Sequence, residues 1–245
     1  MMDINVVCHI HSDWSYDAKT PLRQLAESFA KRNNTVVMMT EHDRGFSEKR
    51  YEEYRCACAE ASSNEILVLP GMEYSDAENR VHVLTWGVPF LGEGLPTGEM
   101  LQAVKRHNGI AVLAHPTRRN AWQEIKPDWL ECLTGIEVWN RKYDGWAPSA
   151  TAPGLLGLGK FIPFVGLDYH TERQMFSLQM VLGLRGPCTE ESVLDAVRRG
   201  RCSARAFGLP LDHTLLRTSM PGMKAAERGR RKLSSFVKKH TVAHR

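Results

Sequence analysis

Residues 3–17 read Asp3-Ile4-Asn5-Val6-Val7-Cys8-His9-Ile10-His11-Ser12-Asp13-Trp14-Ser15-Tyr16-Asp17. The Val/Ile-rich run Asp3–His9 has the composition of a strand. It closes on a His-x-His pair, with Asp17 six residues further on. Alternate residues of a strand project to one face, so His9 and His11 are expected to converge. Two imidazoles and a nearby carboxylate form a donor set suited to a divalent cation.

The same device recurs down the chain. Val36–Thr40 predicts a second strand and runs into Thr40-Glu41-His42-Asp43. Glu65–Tyr74 ends in Gly71-Met72-Glu73-Tyr74, and Val81–Trp86 carries His82. Ile110–Ala114 leads into His115-Pro116, and Phe164–Leu167 into Asp168-Tyr169-His170. Gly135–Trp139 and Leu178–Gly183 add two more strands. Between them, helices are predicted over Leu22–Arg32, Ser47–Ala61, Gly98–His107 and Glu190–Arg199. Thr20 is placed as N-cap and Pro21 at the first position of the first helix. Asn108-Gly109 is placed as the left-handed end of the third.

Strands alternating with helices predict an α/β fold with a parallel sheet, open or closed into a barrel. At the carboxyl ends of barrel strands, His9, His11, Asp17, His42, Glu73, His82, His115, Asp168 and His170 would share one basin. Six imidazoles and three carboxylates suit Zn²⁺, Mn²⁺ or Fe²⁺. They exceed the needs of one or two tetrahedral ions and suffice for three if a carboxylate bridges. A lone strand-end histidine is usually structural; the recurrence is what points to a metal centre. His107, His213, His240 and His244 lack such partners and are read as surface or cap residues.

In order along the chain, His9–Asp17, Thr40–Asp43, Gly71–Tyr74, Ala114–Pro116 and Gly166–His170 resemble the motifs of the PHP (polymerase and histidinol phosphatase) superfamily. The resemblance covers about residues 3–206. It implies a distorted (β/α)7 barrel with a trinuclear metal centre at the C-terminal ends of the strands, and phosphoesterase activity. Carried over by position, it puts His9, His11, Glu73 and Asp168 around one ion, and lets Glu73 bridge to a second ion held by His82 and His115. Asp17, His42 and His170 would hold the third. Two departures stand out: the second motif more often reads Thr-Asp-His, and the first motif's acid is often one residue nearer its histidine than Asp17 is.

The implied reaction is hydrolysis of a phosphomonoester or phosphodiester by a metal-bridged hydroxide, with Glu73 and Asp168 as bridging and orienting carboxylates. No Gly-x-Ser-x-Gly elbow competes with it. No Gly-x-Gly-x-x-Gly or Walker-type loop supports a nucleotide fold. Arg44, Arg118, Arg119, Arg141 and Lys142 follow the motifs and are candidates to grip a phosphate, with solvated loop charge the plainer reading of each. Glu137 is either a further site acid or a hydrogen-bond acceptor for a liganding histidine. Two rival readings are an amidohydrolase-like hydrolase of C–N bonds and a non-catalytic nucleic-acid or protein-binding module on the same fold.

Charge distribution qualifies the partners. The chain of 245 residues carries a formal +4. Residues 217–245 hold nine Lys or Arg against one acid, Glu227, so residues 1–216 carry −4. The expected organisation is a barrel over 1–216 followed by a basic helix or tail over 217–245. That tail is a candidate nucleic-acid contact, with Leu215, Leu216, Leu233, Phe236 and Val237 at partly helical spacing. A small phosphorylated metabolite, nucleotide or oligonucleotide is the expected substrate. No apolar run approaches the ~18 residues of a membrane helix, and a cytoplasmic location is expected. The six cysteines are too sparse for a disulfide framework. Asn140–Lys160, without periodicity, is expected to be a functional or mobile loop.

Overall fold

The computed structural model describes residues 2–149, 151–211, 222–230 and 232. In chain order the elements are β1 (Met2–Ile10), α1 (Leu22–Ala30), β2 (Val36–Met39), β3 (Glu41–His42), α2 (Glu48–Ala61), β4 (Leu67–Leu69), β5 (Gly71–Ser75) and β6 (His82–Trp86). There follow α3 (Thr97–Arg106), β7 (Ile110–Leu113), α4 (Pro127–Leu130), β8 (Gly135–Asn140), α5 (Arg141–Asp144), α6 (Thr151–Leu155) and β9 (Ile162–Gly166). The rest are β10 (Leu178–Leu184), α7 (Glu190–Arg198), β11 (Cys202–Ala206) and β12 (Leu209–Pro210).

The strands form two six-stranded sheets, ordered β12-β11-β10-β1-β2-β4 and β3-β5-β6-β7-β8-β9. The α/β class is as expected; the strands pair as two mixed sheets, and no closed ring of seven is found among the described strands. Glu65–Tyr74, expected as one strand, breaks at Pro70, which cannot donate to a ladder. Its first half, β4, pairs with β2, while β5 pairs with β3 and β6. The sheets meet where β1 ends: Leu167 and Tyr169 donate backbone N–H to Cys8 and His9, and His11 donates to Tyr169.

Strands β1, β2, β7 and β8 are buried almost throughout, as expected of strands covered on both faces. Helix α1 buries Leu22, Leu25, Ala26 and Phe29. Its boundary differs from expectation by one residue: Pro21 stands at the cap, with no side-chain cap bond, and Thr20 lies outside. Helix α7 starts with a reciprocal Thr189–Ser192 capping pair, supplying partners for otherwise unpaired first-turn donors. The stretch 140–160 is not a bare loop, since α5, α6 and a 3-10 turn occupy it.

Residues 222–230, in the basic C-terminal stretch, are helical and lie against the body. The buried Glu227 carboxylate accepts from the Trp146 amide at 3.2 Å and from Arg230 at 2.6 and 2.8 Å. Gly145, at φ 81°, has no Cβ to collide with that carboxylate. Leu215, Leu216, Leu233, Phe236 and Val237 lie outside the described residues. Among the described residues no helix is long and apolar enough to cross a membrane.

Candidate metal centre

Strand ends aim the site. At His9 the pairing of β1 with β2 slips by a bulge and the backbone turns left-handed, φ 61°. The expected i, i+2 alternation is therefore broken, yet the rings of His9 and His11 still converge, their centroids 5.3 Å apart. Bulges commonly re-aim side chains next to sites. His115 and Asp168 also have positive φ, 24° and 49°. Such backbone is held only where the surroundings over-determine it.

Glu73, on β5, is the hub. Its Oε2 lies 3.3 Å from His9 Nε2, 3.2 Å from His11 Nε2 and 3.3 Å from His42 Nδ1. Its Oε1 lies 2.6 Å from His82 Nδ1 and 2.9 Å from His115 Nε2. Asp168 lies 3.8 Å from His9 Nε2, 3.9 Å from His11 Nε2 and 3.3 Å from His170 Nδ1. Asp17 reaches His42 and His170 at 3.4 and 3.1 Å. The structure thus brings together all nine side chains singled out from the sequence.

Donor atoms cluster in triplets whose members lie within 4.8 Å of one another: His9–His11–Glu73, Glu73–His82–His115, His9–His115–Asp168 and His11–His42–His170. The last contains His11 where Asp17 was expected, and Asp17 sits beside it. A donor set of imidazoles and carboxylates fits borderline divalent ions. One observation makes the fit specific: His9 Nε2 and His11 Nε2 are fully buried and have no hydrogen-bond partner among the described residues. Buried polar atoms are rarely left so.

Surrounding residues fix the rings. His9 Nδ1–H donates to Glu137 Oε1 at 2.9 Å, so that in the neutral ring it is Nε2 that turns a lone pair to the cluster. Glu137 Oε2 accepts from the His115 amide at 2.7 Å and from Asn140 at 2.8 Å. The alternative left open for Glu137 thus resolves to hydrogen bonding. His11 Nδ1–H donates to Ser15 Oγ at 3.2 Å. Ser15 donates in turn to Glu41, and its oxygen accepts from the His42 amide. Glu41 also accepts from the Ser12 amide and hydroxyl. The glutamate in Thr40-Glu41-His42 is therefore a buried brace for the loop between His11 and Asp17. Ser15, Asn140, Tyr143 and Asn79 escaped the sequence reading; the only signal was the proximity of Ser12 and Ser15 to His11.

Electrostatics follow burial and mutual charge. Burial opposes ionisation of Glu73, but His9, His82 and His42 outweigh it and hold the carboxyl far below its usual range. Burial likewise opposes Asp168, and His9 and Lys142 overcome it. Asp17 is held low by hydrogen bonds from His170 and His42 against its own partial burial. For His9, burial disfavours the cation but Glu137 and Asp168 push its pKa well up; for His11, burial and the neighbouring His42 pull it well down. Burial raises Glu41 to about 6, its bonds from Ser12 and Ser15 partly offsetting this.

The cationic candidates divide. Lys142 Nζ lies 3.1 Å from Asp168 Oδ1 and 3.3 Å from His170. Arg118 lies 3.2 Å from His82 Nε2, donates to both oxygens of Asn79 and bonds Tyr143. Arg119 donates to the Asn79 carbonyl behind it. Arg44 lies over the exposed Tyr16 ring, itself stacked on His42 at 5.1 Å. Arg141 is not brought to the cluster: its guanidinium lies over Phe176 and donates to the Arg173 carbonyl.

No protein-family model matches the chain, and no curated protein matches it. Solved structures do. A two-domain protein containing a predicted PHP-like metal-dependent phosphoesterase from Bacteroides vulgatus matches at TM-score 0.63 and 15% identity, over 86% of this chain and 67% of that one. The lesion-specific endonuclease EndoQ of Pyrococcus furiosus matches at TM-score 0.55 and 14% identity, over 81% of this chain and 56% of its own. An amidohydrolase from Chromobacterium violaceum matches at TM-score 0.51 and 16% identity, over 68% of this chain and 87% of that one. In fold, the chain is similar to these PHP-like proteins.

Proposed function

We propose that this protein is a metal-dependent phosphoesterase with up to three divalent ions, Zn²⁺, Mn²⁺ or Fe²⁺, in the cluster centred on Glu73. The observation that carries the reading is the pair of buried, unbonded Nε2 atoms of His9 and His11 facing Glu73 and Asp168. Under it, His9, His11, Glu73 and Asp168 hold one ion and Glu73, His82 and His115 a second. His42 and His170, with Asp17 beside them, hold the third. In this reading the two sheets are one wrapped wall, the distorted barrel that the motifs imply.

Such ions, when bound, supply Lewis acidity toward phosphoryl oxygens and lower the pKa of water. The chain's own residues do the rest. Glu137 and Ser15 keep His9 and His11 in the tautomer whose Nε2 faces inward. Arg118 and Lys142 bring cations to the cluster, beside His82 and Asp168 respectively. An incoming phosphoryl oxygen meets Arg118's planar donors and Lys142's mobile ammonium. Lys142 can leave Asp168 for the substrate.

The substrate class is a phosphomonoester or phosphodiester of a metabolite or nucleotide. The test joins elemental analysis to a substrate panel under added Mn²⁺. Hydrolysis of p-nitrophenyl phosphate or bis-p-nitrophenyl phosphate, lost in His115→Ala and Asp168→Ala, is expected. Turnover confined to amides and lactones would instead establish the amidohydrolase reading, which the Chromobacterium neighbour keeps in play.

A further inference from the structure

Between helix 222–230 and the segment following β8 lies a cavity of about 450 Å³. That is within the range of small-molecule sites, roughly 300–1,000 Å³. Tyr143, Ala147 and Pro148 line one part of it, and Lys224 and Arg228 another. Residues 224 and 228 are four apart on a helix, hence on the same face.

The cavity begins where the metal cluster ends. Arg118 and Tyr143 belong to both: Arg118 lies 3.2 Å from His82 Nε2, and the Tyr143 ring centroid is 4.7 Å from that of His115. Its acids do not cancel its cations. Glu227 is committed to Arg230 and the Trp146 amide. Asp144 is buried, its carboxylate accepting from the Asn140 amide and the Thr117 hydroxyl. Lys224 and Arg228 form no hydrogen bond or ion pair that the described residues show. A pocket beside a phosphoryl-binding cluster thus presents two uncommitted cations on a helix pinned through Glu227.

We propose that this cavity receives the leaving group of the phosphoester, and that Lys224 and Arg228 select leaving groups bearing a further anionic group, a carboxylate or a second phosphate. This rests on the phosphoesterase reading. Hydrolysis breaks the bond between phosphorus and the leaving oxygen; water gives its hydroxyl to phosphorus and a proton to the departing alcohol. That alcohol, with its anion, is what the cavity holds. The basic stretch then serves the active site of its own chain, reading the end of the substrate that is not cleaved.

Four aryl phosphates of similar leaving oxygen test this on the metal-loaded protein: phenyl phosphate, 4-carboxyphenyl phosphate, 1,4-phenylene bisphosphate and 4-(aminomethyl)phenyl phosphate. The wild type is expected to favour at least one anionic substrate over phenyl phosphate by about tenfold in kcat/KM. The carboxylate and bisphosphate arms tell which anion is preferred. K224Q/R228Q should bring the ratio near unity, and K224E/R228E should reverse it toward 4-(aminomethyl)phenyl phosphate. Equal kcat/KM for all substrates in the wild type, or a preference unmoved by either double variant, overturns the proposal. Calorimetric binding of the same compounds separates it from the parent reading. Without any turnover the phosphoesterase reading fails; the cavity assignment then stands on tighter binding of the ligands bearing a further anionic group that the variants abolish, and falls if binding does not discriminate.

Discussion

Glu137 and His9, 128 residues apart in sequence, are joined by a 2.9 Å hydrogen bond in which the carboxylate fixes the ring's tautomer, while its second oxygen holds the backbone of His115. One buried side chain thereby sets two histidines, one on β1 and one just beyond β7. Glu137→Gln keeps the shape, but its amide nitrogen cannot accept from an N–H. The variant is expected to bind Mn²⁺ 10–100-fold more weakly, measured by calorimetric titration. Undiminished affinity would show that His9 is oriented without Glu137.

Gly166 makes that pairing possible. A Cβ there would collide with the Glu137 carboxylate and approach within 2.7 Å of His9 Cβ. Gly166→Ala is expected to lose about 1–3 kcal/mol of stability and, because the displaced groups belong to the site, to lose metal affinity as well. Thermal melts paired with metal titration check both; a loss of stability alone would mean that the strand moves and the site does not.

Five imidazoles share Glu73. Glu73→Gln removes the charge common to the His9–His11 and His82–His115 groups. Metal content by elemental analysis is expected to fall by at least one ion per chain, with phosphoester hydrolysis reduced about 100-fold or more. Wild-type stoichiometry in the variant would remove Glu73 from its bridging role.

Asp144 gives a pH dependence of stability. Burial raises its carboxyl from 3.8 to about 7, against the bonds from Asn140 and Thr117. Below pH 3.8 the folded and unfolded chains are both protonated there. Between 3.8 and 7 the unfolded chain ionises first, so stability falls as pH rises; above 7 the cost is constant, on the order of 4 kcal/mol. Asp144→Asn should therefore be more stable than wild type at pH 8 and nearly equal to it below pH 4, in urea unfolding. A variant less stable at pH 8 would show that the ionised carboxylate supports the fold.

The nine clustered side chains are legible in the sequence because most sit in short motifs at or near strand ends, where residue type and local spacing carry the information. Nine side chains from 9 to 170 could be named that way. What escaped depends on distant neighbours. The bulge at His9 needs β2 beside β1, and the role of Glu41 needs Ser12 and Ser15 folded over it. Arg141, adjacent to Lys142, turns to Phe176 rather than to the cluster, which only the fold of α5 determines. The split of 65–74 into β4 and β5 follows from Pro70 interrupting a run whose composition otherwise reads as one strand, while the matching split of β2 from β3 at Thr40 has no such mark. The helix at 222–230 reads as a plain basic stretch until Glu227 is seen against Trp146.

Strand β1 is flanked in its sheet by β2 and by β10, with Met2 opposite Leu184 and Val6 opposite Met180. A chain emerging vectorially from the ribosome thus holds β1 with one edge unpaired until β10 (Leu178–Leu184) has been made. His9 and His11 wait equally long for Asp168 and His170. Contacts of such sequence separation slow folding and leave partly built sheets prone to association. For this protein the window between synthesis of the first motif and arrival of the last is where a nascent-chain chaperone would matter most, and where early metal capture by an incomplete set of histidines would do the most harm.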